Sequence, residues 1–432
     1  MFPERPPSRW SRLGLTLSLY RDKVIRFRPN ARLYLLFAAV NGAAFGIFRL
    51  LFNFYVLSLG YDEALLGRLL TTTSLVALLS ALPAGYVSDR LGRKPAFLLS
   101  SVAATGSVLG IVLWRDATGF YAMNVVMGLA QSLSGVSFGP FLMENSGEEE
   151  RTYLFSFASG TGMIATFAGN WLGGQLPTWL GQEIGPTGAS SSAYAFSLLV
   201  VAALLALAIV PLLLLRRREF RERTGREVSP FAYTRRHPVL LGKLVGPMFI
   251  TSLGAGLLMP FMNVFFRHVH GSADSTIGTL FATGSLAMAI GLLLAPPLAD
   301  RFGKIQIVVL SQAFSVPFLA LLGFAPWFWV SAFAYLVRLA LMNMANPVYQ
   351  AFVMEHVEEE SRATVASLVS MSWSFGWAFS PTVSGWLQVS YGFNPVFLGT
   401  IGSYIFAIYL YWRFFWSTPE NNRVGQSALE KV

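Results

Sequence analysis

The chain has 432 residues, of which 54% are hydrophobic and 12% charged, with a formal net charge of +10 and no cysteine. A water-soluble domain carries about 25% charged residues, and a soluble fold of this composition would expose large apolar patches. The lack of cysteine excludes disulfides and thiolate metal sites, and four histidines without metal-ligand spacing imply neither a metal nor a cofactor.

Residues 1–32 are rich in Arg and Pro and lack both an uninterrupted apolar core and a small-residue cleavage site, so no secretory signal is read there. Within this cytoplasmic basic segment Trp10, Leu13, Leu17, Tyr20 and Val24 recur at three- and four-residue spacing among Arg and Lys. The pattern fits a basic helix lying on the inner leaflet, and it equally fits a disordered basic tail.

A membrane span needs about 20 mostly apolar residues. Twelve stretches meet this: 33–57, 65–87, 95–114, 118–142, 152–180, 192–215, 240–266, 276–299, 305–325, 327–354, 363–390 and 394–416. Helices are expected for all twelve, because every backbone polar group must be satisfied inside lipid. Turn-forming residues separate them, as in Gly60-Tyr61-Asp62, Asp116-Ala117-Thr118-Gly119, Gly271-Ser272 and Gly392-Phe393-Asn394. The expected architecture is an all-α membrane protein of two six-helix bundles, 33–215 and 240–416, joined by a basic cytoplasmic linker at 216–239 and ending in a cytoplasmic tail, 417–432.

Lys and Arg set the orientation. Arg5 to Arg32 at the amino terminus, Arg90, Arg93 and Lys94 after span 2, and the run Arg216 to Arg236 after span 6 all fall on one side of a twelve-span chain. The positive-inside rule makes that side cytoplasmic and places both termini inside, in the plasma (inner) membrane. The positive excess is therefore topology charge, and no nucleic-acid partner is expected.

The two halves repeat each other. Asp89 in GYVSDRLGRK, Gly85 to Lys94, stands 211 positions before Asp300 in PLADRFGK, and the same offset aligns Gly67 with Gly278, Glu144 with Glu355, Arg151 with Arg362 and Gly174 with Gly385. Such duplicated membrane units are the architecture of many secondary transporters. GYVSDRLGRK fits G-x-x-x-D-R-x-G-R-K at every fixed position, and on this motif, the twelve spans, the 6+6 repeat and the basic middle link, the chain resembles the major facilitator superfamily over essentially its whole length. The second copy departs from the motif: Pro297 precedes the Asp-Arg pair and Ile305 replaces a basic residue.

The physics of this loop can be read on its own. A short turn between helices wants Gly where backbones crowd, which suits Gly85 and Gly92. A carboxylate at a membrane edge needs a partner; for Asp89 the choices are a helix N-terminus, Arg93 or Arg151. The resemblance implies that Asp89, Arg90, Arg93, Glu144 and Arg151 latch the halves together on the cytoplasmic side, with Asp300, Arg301, Glu355 and Arg362 as the second-half counterparts. The alternative is that they only set topology and satisfy helix ends. Gly173-Gly174 and the displaced Pro177 in span 5 read as close packing, and carry no antiport inference.

Every Asp and Glu falls in a terminus, a loop or a span edge. Two basic residues lie inside spans: Arg338 is some eleven residues into span 10, roughly 16 Å deep at 1.5 Å per residue, and Arg49 lies beyond the middle of span 1. An intramembrane Arg is by default a functional-site hypothesis, although Arg49 has the option of snorkelling outward and Arg338 of bonding backbone carbonyls in its own half. The resemblance implies that spans 1, 4, 7 and 10 line a central cavity. Their polar residues Asn41, Asn53, Asn124, Gln131, Ser134, Asn263, Asn343, Asn346 and Gln350 are candidate contacts for a hydroxylated, amide or anionic solute, with helix–helix hydrogen bonding as their other role. Phe45, Phe48, Met259, Phe261, Tyr335, Trp373 and Trp377 would furnish an adaptable apolar wall.

The expected function is alternating-access transport of a small organic solute, anionic or neutral, by a monomer in the lipid bilayer. The rivals are a proton-coupled multidrug efflux antiporter, which wants a buried acid that the spans lack, and a non-transporting membrane receptor. An enzyme is not expected, since no catalytic constellation is visible.

Overall fold

The computed structural model describes residues 27–147, 150–184, 190–216, 237–355, 357 and 362–416. The basic amino-terminal pattern, most of the link at 216–239 and the tail at 417–432 lie outside these residues. Span 1 is Pro29–Ser58, span 2 Glu63–Leu79 continued by Ala81–Leu91, span 3 Arg93–Leu113, span 4 Ala117–Glu144, span 5 Arg151–Ile184 and span 6 Ser191–Leu213. Span 7 is Pro238–Leu258, continued through the 3-10 turn Met259–Phe261 by Met262–His270. Spans 8 to 12 are Asp274–Phe302, Lys304–Phe324, Phe328–Glu355, Arg362–Tyr391 and Asn394–Phe415. The described residues contain no strand. Nine described helices are long and apolar enough to cross a bilayer, and the bent pair of span 2 makes a tenth crossing. Spans 5 and 11, of 34 and 30 residues, complete the twelve and are diluted by Ser, Thr and Gly.

The turns noted in the sequence supply the caps. Asp62 accepts from the Leu65 amide at 2.8 Å and Asp116 from the Gly119 amide at 2.7 Å, each closing the first turn of the following span. The Gly119 amide, helped by the Trp114 indole, holds the Asp116 carboxyl below the usual carboxylate range. Gly92 and Gly303 both take positive φ, 92° and 94°, at the tight turns after spans 2 and 8, so the duplicated loop has kept its left-handed corner as well as its sequence.

Two breaks were not legible as interruptions. Span 2 bends by 53° at Ser80. Pro83 has no amide to give the Leu79 carbonyl, and the Ser80 hydroxyl instead bonds back to the Val76 carbonyl at 2.6 Å. Span 7 breaks at Pro260. The Val264 amide turns to the Asn263 side chain at 3.0 Å, which leaves the Pro260 carbonyl open to another helix.

Spans 1–6 pack among themselves, as do spans 7–12, and the two bundles meet where span 2 lies on span 11 and span 5 on span 8. The glycines that align at the 211-residue offset make these crossings. A Cβ on Gly174 would stand 2.8 Å from the Gly278 Cα, and a Cβ on Gly67 would stand 3.3 Å from the Gly385 Cα. Because lipid is as apolar as Leu, helices associate in a bilayer by close fit, which small residues permit.

The two ends of the molecule differ. At the end away from the motif, one apolar core runs through both bundles, joining Leu50, Phe54 and Tyr194 of the first to Phe261, Phe265 and Tyr335 of the second. At the motif end there are two separate cores, one around Phe97, Phe141 and Leu212, the other around Tyr349, Phe352 and Tyr411. The bundles are joined at the far end and parted at the motif end. Leu82, Leu293, Trp329 and Phe333 are large apolar side chains left exposed, as a chain surrounded by lipid allows.

Candidate solute cavity and gates

The gap between the bundles holds a cavity with two lobes, about 740 Å³ and about 590 Å³. Asn41, Arg49, Ser134, Trp373 and Trp377 line both lobes, so they are parts of one space. Each lobe lies within the ~300–1,000 Å³ usual for small-molecule sites. Among the described residues neither lobe is lined by Asp or Glu.

Both intramembrane arginines face this cavity. Arg338 is 1% exposed. Its Nη2 donates to the Tyr404 hydroxyl at 2.8 Å and its Nη1 to the Met259 sulfur at 3.4 Å, while Nε has no hydrogen-bond partner. A buried guanidinium held only by a phenol and a thioether is an uncompensated charge, which is costly. Arg49 does not snorkel outward. Its guanidinium lies 5.9 Å from the Trp377 ring centroid, and it makes no hydrogen bond or ion pair among the described residues. The Trp377 indole N–H is likewise buried without a partner. Tyr335 stacks on Phe281 with centroids 5.6 Å apart, and Trp373 sits 6.3 Å from Trp377.

The polar candidates divide. Asn41, Gln131, Ser134, Asn343 and Asn346 line the cavity, Asn343 spending its amide N–H on the Leu339 carbonyl at 2.8 Å. Asn124 borders it but is engaged by Thr73 at 2.7 Å and by the Phe120 carbonyl at 2.8 Å. Gln350 is exposed and lines neither lobe. Phe45, Phe48, Met259, Tyr335, Trp373 and Trp377 contribute to the wall, whereas Phe261 is wholly buried in the core.

Asn53 also lines the first lobe, but its amide is engaged with Asn263 at the far-end seam. The Asn53 amide donates to the Pro260 carbonyl at 2.7 Å and to Asn263 Oδ1 at 2.9 Å, and the Asn263 amide donates to the Leu50 carbonyl at 2.8 Å. The break in span 7 frees the carbonyl that Asn53 uses. Beside this seam lies a network the sequence did not reveal. Arg267 of span 7 pairs with Asp274 and donates to the Tyr194 hydroxyl of span 6 at 2.7 Å, with its guanidinium 3.3 Å from the Phe54 ring centroid of span 1. His268 Nδ1 meets the Glu63 carboxylate at 3.2 Å. Asp274 lies seven residues from Arg267, but Tyr194, Phe54 and Glu63 are distant in the chain, so the sequence gives no signal of these pairings.

At the motif end every described contact of the cluster stays within one bundle. Asp89 pairs with Arg93 at 2.6 Å, one helical turn on, and not with Arg151. Arg93 also reaches Glu144 at 3.1 Å and Ser88 at 2.8 Å. Lys304 pairs with Glu355, reproducing the Arg93–Glu144 pair at the same 211-residue offset. Arg90 donates to Tyr86 at 2.8 Å, Arg301 lies over Phe302, and Asp300 is exposed. Arg151 Nε has no partner, and the Arg362 side chain lies outside the described set. Lys94, one of the topology charges after span 2, also caps span 6 by donating to the Leu213 and Leu215 carbonyls at 2.6 Å each. The crowding expected at Gly85 is absent: a Cβ there would meet nothing within 4 Å, because the parted bundles leave this face of span 2 without a neighbour.

The family model described as Major Facilitator Superfamily matches residues 34–271 and 248–430. The chain is 24% identical over 420 residues to multidrug resistance protein MdtG of Escherichia fergusonii, covering 90% of this chain and 95% of that one. Among solved structures it resembles the nucleoside transporter NupG, with a TM-score of 0.71 at 16% identity over 89% of this chain and 99% of that one. It also resembles a bacterial homolog of the human lysosomal transporter Spinster in an inward-facing, occupied conformation, with a TM-score of 0.73 at 13% identity over 93% and 98% of the two chains.

Proposed function

Because the chain belongs to the Major Facilitator Superfamily, we propose that it is a secondary carrier that moves a small organic solute, neutral or anionic, by rocking its two bundles about the central cavity. The observation that carries the solute preference is Arg338, 1% exposed, in a cavity that no carboxylate lines among the described residues. A cationic solute would add charge to a site that is already positive, whereas a neutral or anionic one supplies the missing acceptors. The parted motif end, which the charge pattern assigns to the cytoplasm, makes the observed state inward-open. The far-end seam of Asn53–Asn263, Glu63–His268 and the glycine crossings is then the closed outer gate. We place the protein in the plasma (inner) membrane as a monomer with both termini cytoplasmic, its bundles at 33–215 and 240–416, and read it as a carrier and not an enzyme.

A second reading has its own support. MdtG is named a multidrug resistance protein, and the Phe, Met and Trp wall suits apolar bodies; export of a neutral or anionic drug satisfies both observations. Reconstituted protein tests the function. After a thermal-shift panel of metabolites and drugs identifies a stabilising ligand, vesicles preloaded with that ligand are expected to take up a labelled trace of it. Binding without any flux would instead make the protein a receptor.

A further inference from the structure

The cavity wall specifies more than a preference for anions. Building on the carrier reading, we propose that the solute is an organic carboxylate with a flat apolar body, its carboxylate shared between Arg338 and Arg49 and its body seated against Trp377 and Trp373.

Unmet donors and unbalanced charges in the cavity wall call for such a ligand. Among the described residues, two arginines and no acid line the space. Arg338 Nε and Trp377 Nε1 are both buried without a partner, and the Arg49 guanidinium, exposed to the cavity, has the Trp377 ring and the Tyr335 phenol near it and no carboxylate among the described residues. A neutral solute would meet the donors but leave both charges unbalanced. A carboxylate offers about four acceptor positions and one negative charge, and Arg–carboxylate bonds are the strong, geometrically specific kind.

The body of the solute follows from the same residues. Trp373 and Trp377 are 6.3 Å apart and tilted by 39°, with Phe45, Phe48 and Met259 completing the wall. A flat ring gains offset or edge contacts there that a hydrated dianion such as phosphate would forgo. Arg49 belongs to span 1 and Arg338 to span 10, so one carboxylate touches both bundles at once. The ligand thereby offsets one of the two positive charges and lies between the cations of the two bundles.

The test is binding by the purified full chain, read as thermal shift and tryptophan quenching at pH 8, where the acids are ionised. Probes are 2-naphthoate, 2-naphthamide as its neutral counterpart, acetate as the acid without a ring, inorganic phosphate, and benzyltrimethylammonium. The account expects 2-naphthoate to bind at least tenfold tighter than each of the others. It also expects Arg338→Gln and Arg49→Gln each to weaken that binding by at least tenfold while Arg338→Lys retains part of it. The selectivity order of the unmodified chain stands as a test even if an arginine variant fails to fold. Equal binding of 2-naphthamide or benzyltrimethylammonium, or an unaffected folded Arg338→Gln, overturns the proposal. Counterflow separates it from the carrier reading. Naphthoate binding with no flux of any solute would leave the carboxylate site and remove the carrier. Flux of benzyltrimethylammonium without naphthoate binding would do the reverse.

Discussion

Gly174 and Gly278 touch backbone to backbone across the seam between the two bundles, a Cβ on the second falling 2.6 Å from the Cα of the first. The offset of 211 residues carries Gly67 to Gly278 and Gly174 to Gly385. The two crossings, Gly67 on Gly385 and Gly174 on Gly278, are therefore one contact used twice about a pseudo-two-fold axis. These crossings hold the far end shut. Replacing Gly174 by Leu forces the helices apart there and should favour the state open at the far end. In this cysteine-free chain, a cysteine placed at Gln131 in the cavity should react severalfold faster with an impermeant maleimide from the far side once Gly174→Leu is added.

Asn53 and Asn263 form the polar part of the same seal. Asn263→Ala strands the Val264 amide and takes from the Asn53 amide one of its two acceptors, while the Leu50 carbonyl keeps its place in the helix of span 1. Each unsatisfied buried group costs about 1–3 kcal/mol. The expected outcome is a clearly lower melting temperature in detergent for Asn263→Ala, and a smaller loss for Asn263→Asp, which keeps the acceptor for Val264.

Gly85 gives the complementary experiment. A side chain there has open space in the observed state, so Gly85→Leu should leave thermal stability unchanged. Closure of the motif end must bring another helix over this face of span 2, and there the Leu would clash. Counterflow of the stabilising ligand should fall at least tenfold with normal membrane insertion.

The energy source follows from the missing acid. With no carboxylate in the cavity among the described residues, a counter-gradient of solute should drive more uptake into vesicles than an imposed pH gradient of equal energy. Strong uptake on a pH jump alone would move attention to the Glu63–His268 pair at the far-end seam.

The span ends were readable to within several residues, because apolar runs in a bilayer are set by its thickness and the flanking turns carry their own caps. The repeat identified the residues of the crossings, though which glycine meets which depends on the two-fold arrangement and not on the sequence. The bends at Ser80 and Pro260 escaped, since Pro is tolerated inside membrane helices whenever a neighbour re-satisfies the freed group, and that neighbour, Asn53 in the case of Pro260, is distant in the chain. Arg338 stood out because charge in mid-span is rare. The roles of Asn53 and Asn263 did not, because a mid-span amide looks alike whether it binds a solute or another helix.

Distance measurement between paired spin labels tests the rocking motion most directly. Leu91 and Phe302 mark the two bundles at the motif end, Trp114 and Trp327 mark them at the far end, and all four are exposed. On adding a ligand that stabilises the protein, the account predicts a population with a shorter Leu91–Phe302 distance and a longer Trp114–Trp327 distance, the two changes appearing together. Distances that stay unchanged at both ends with saturating ligand, or that shorten at both ends together, would contradict it.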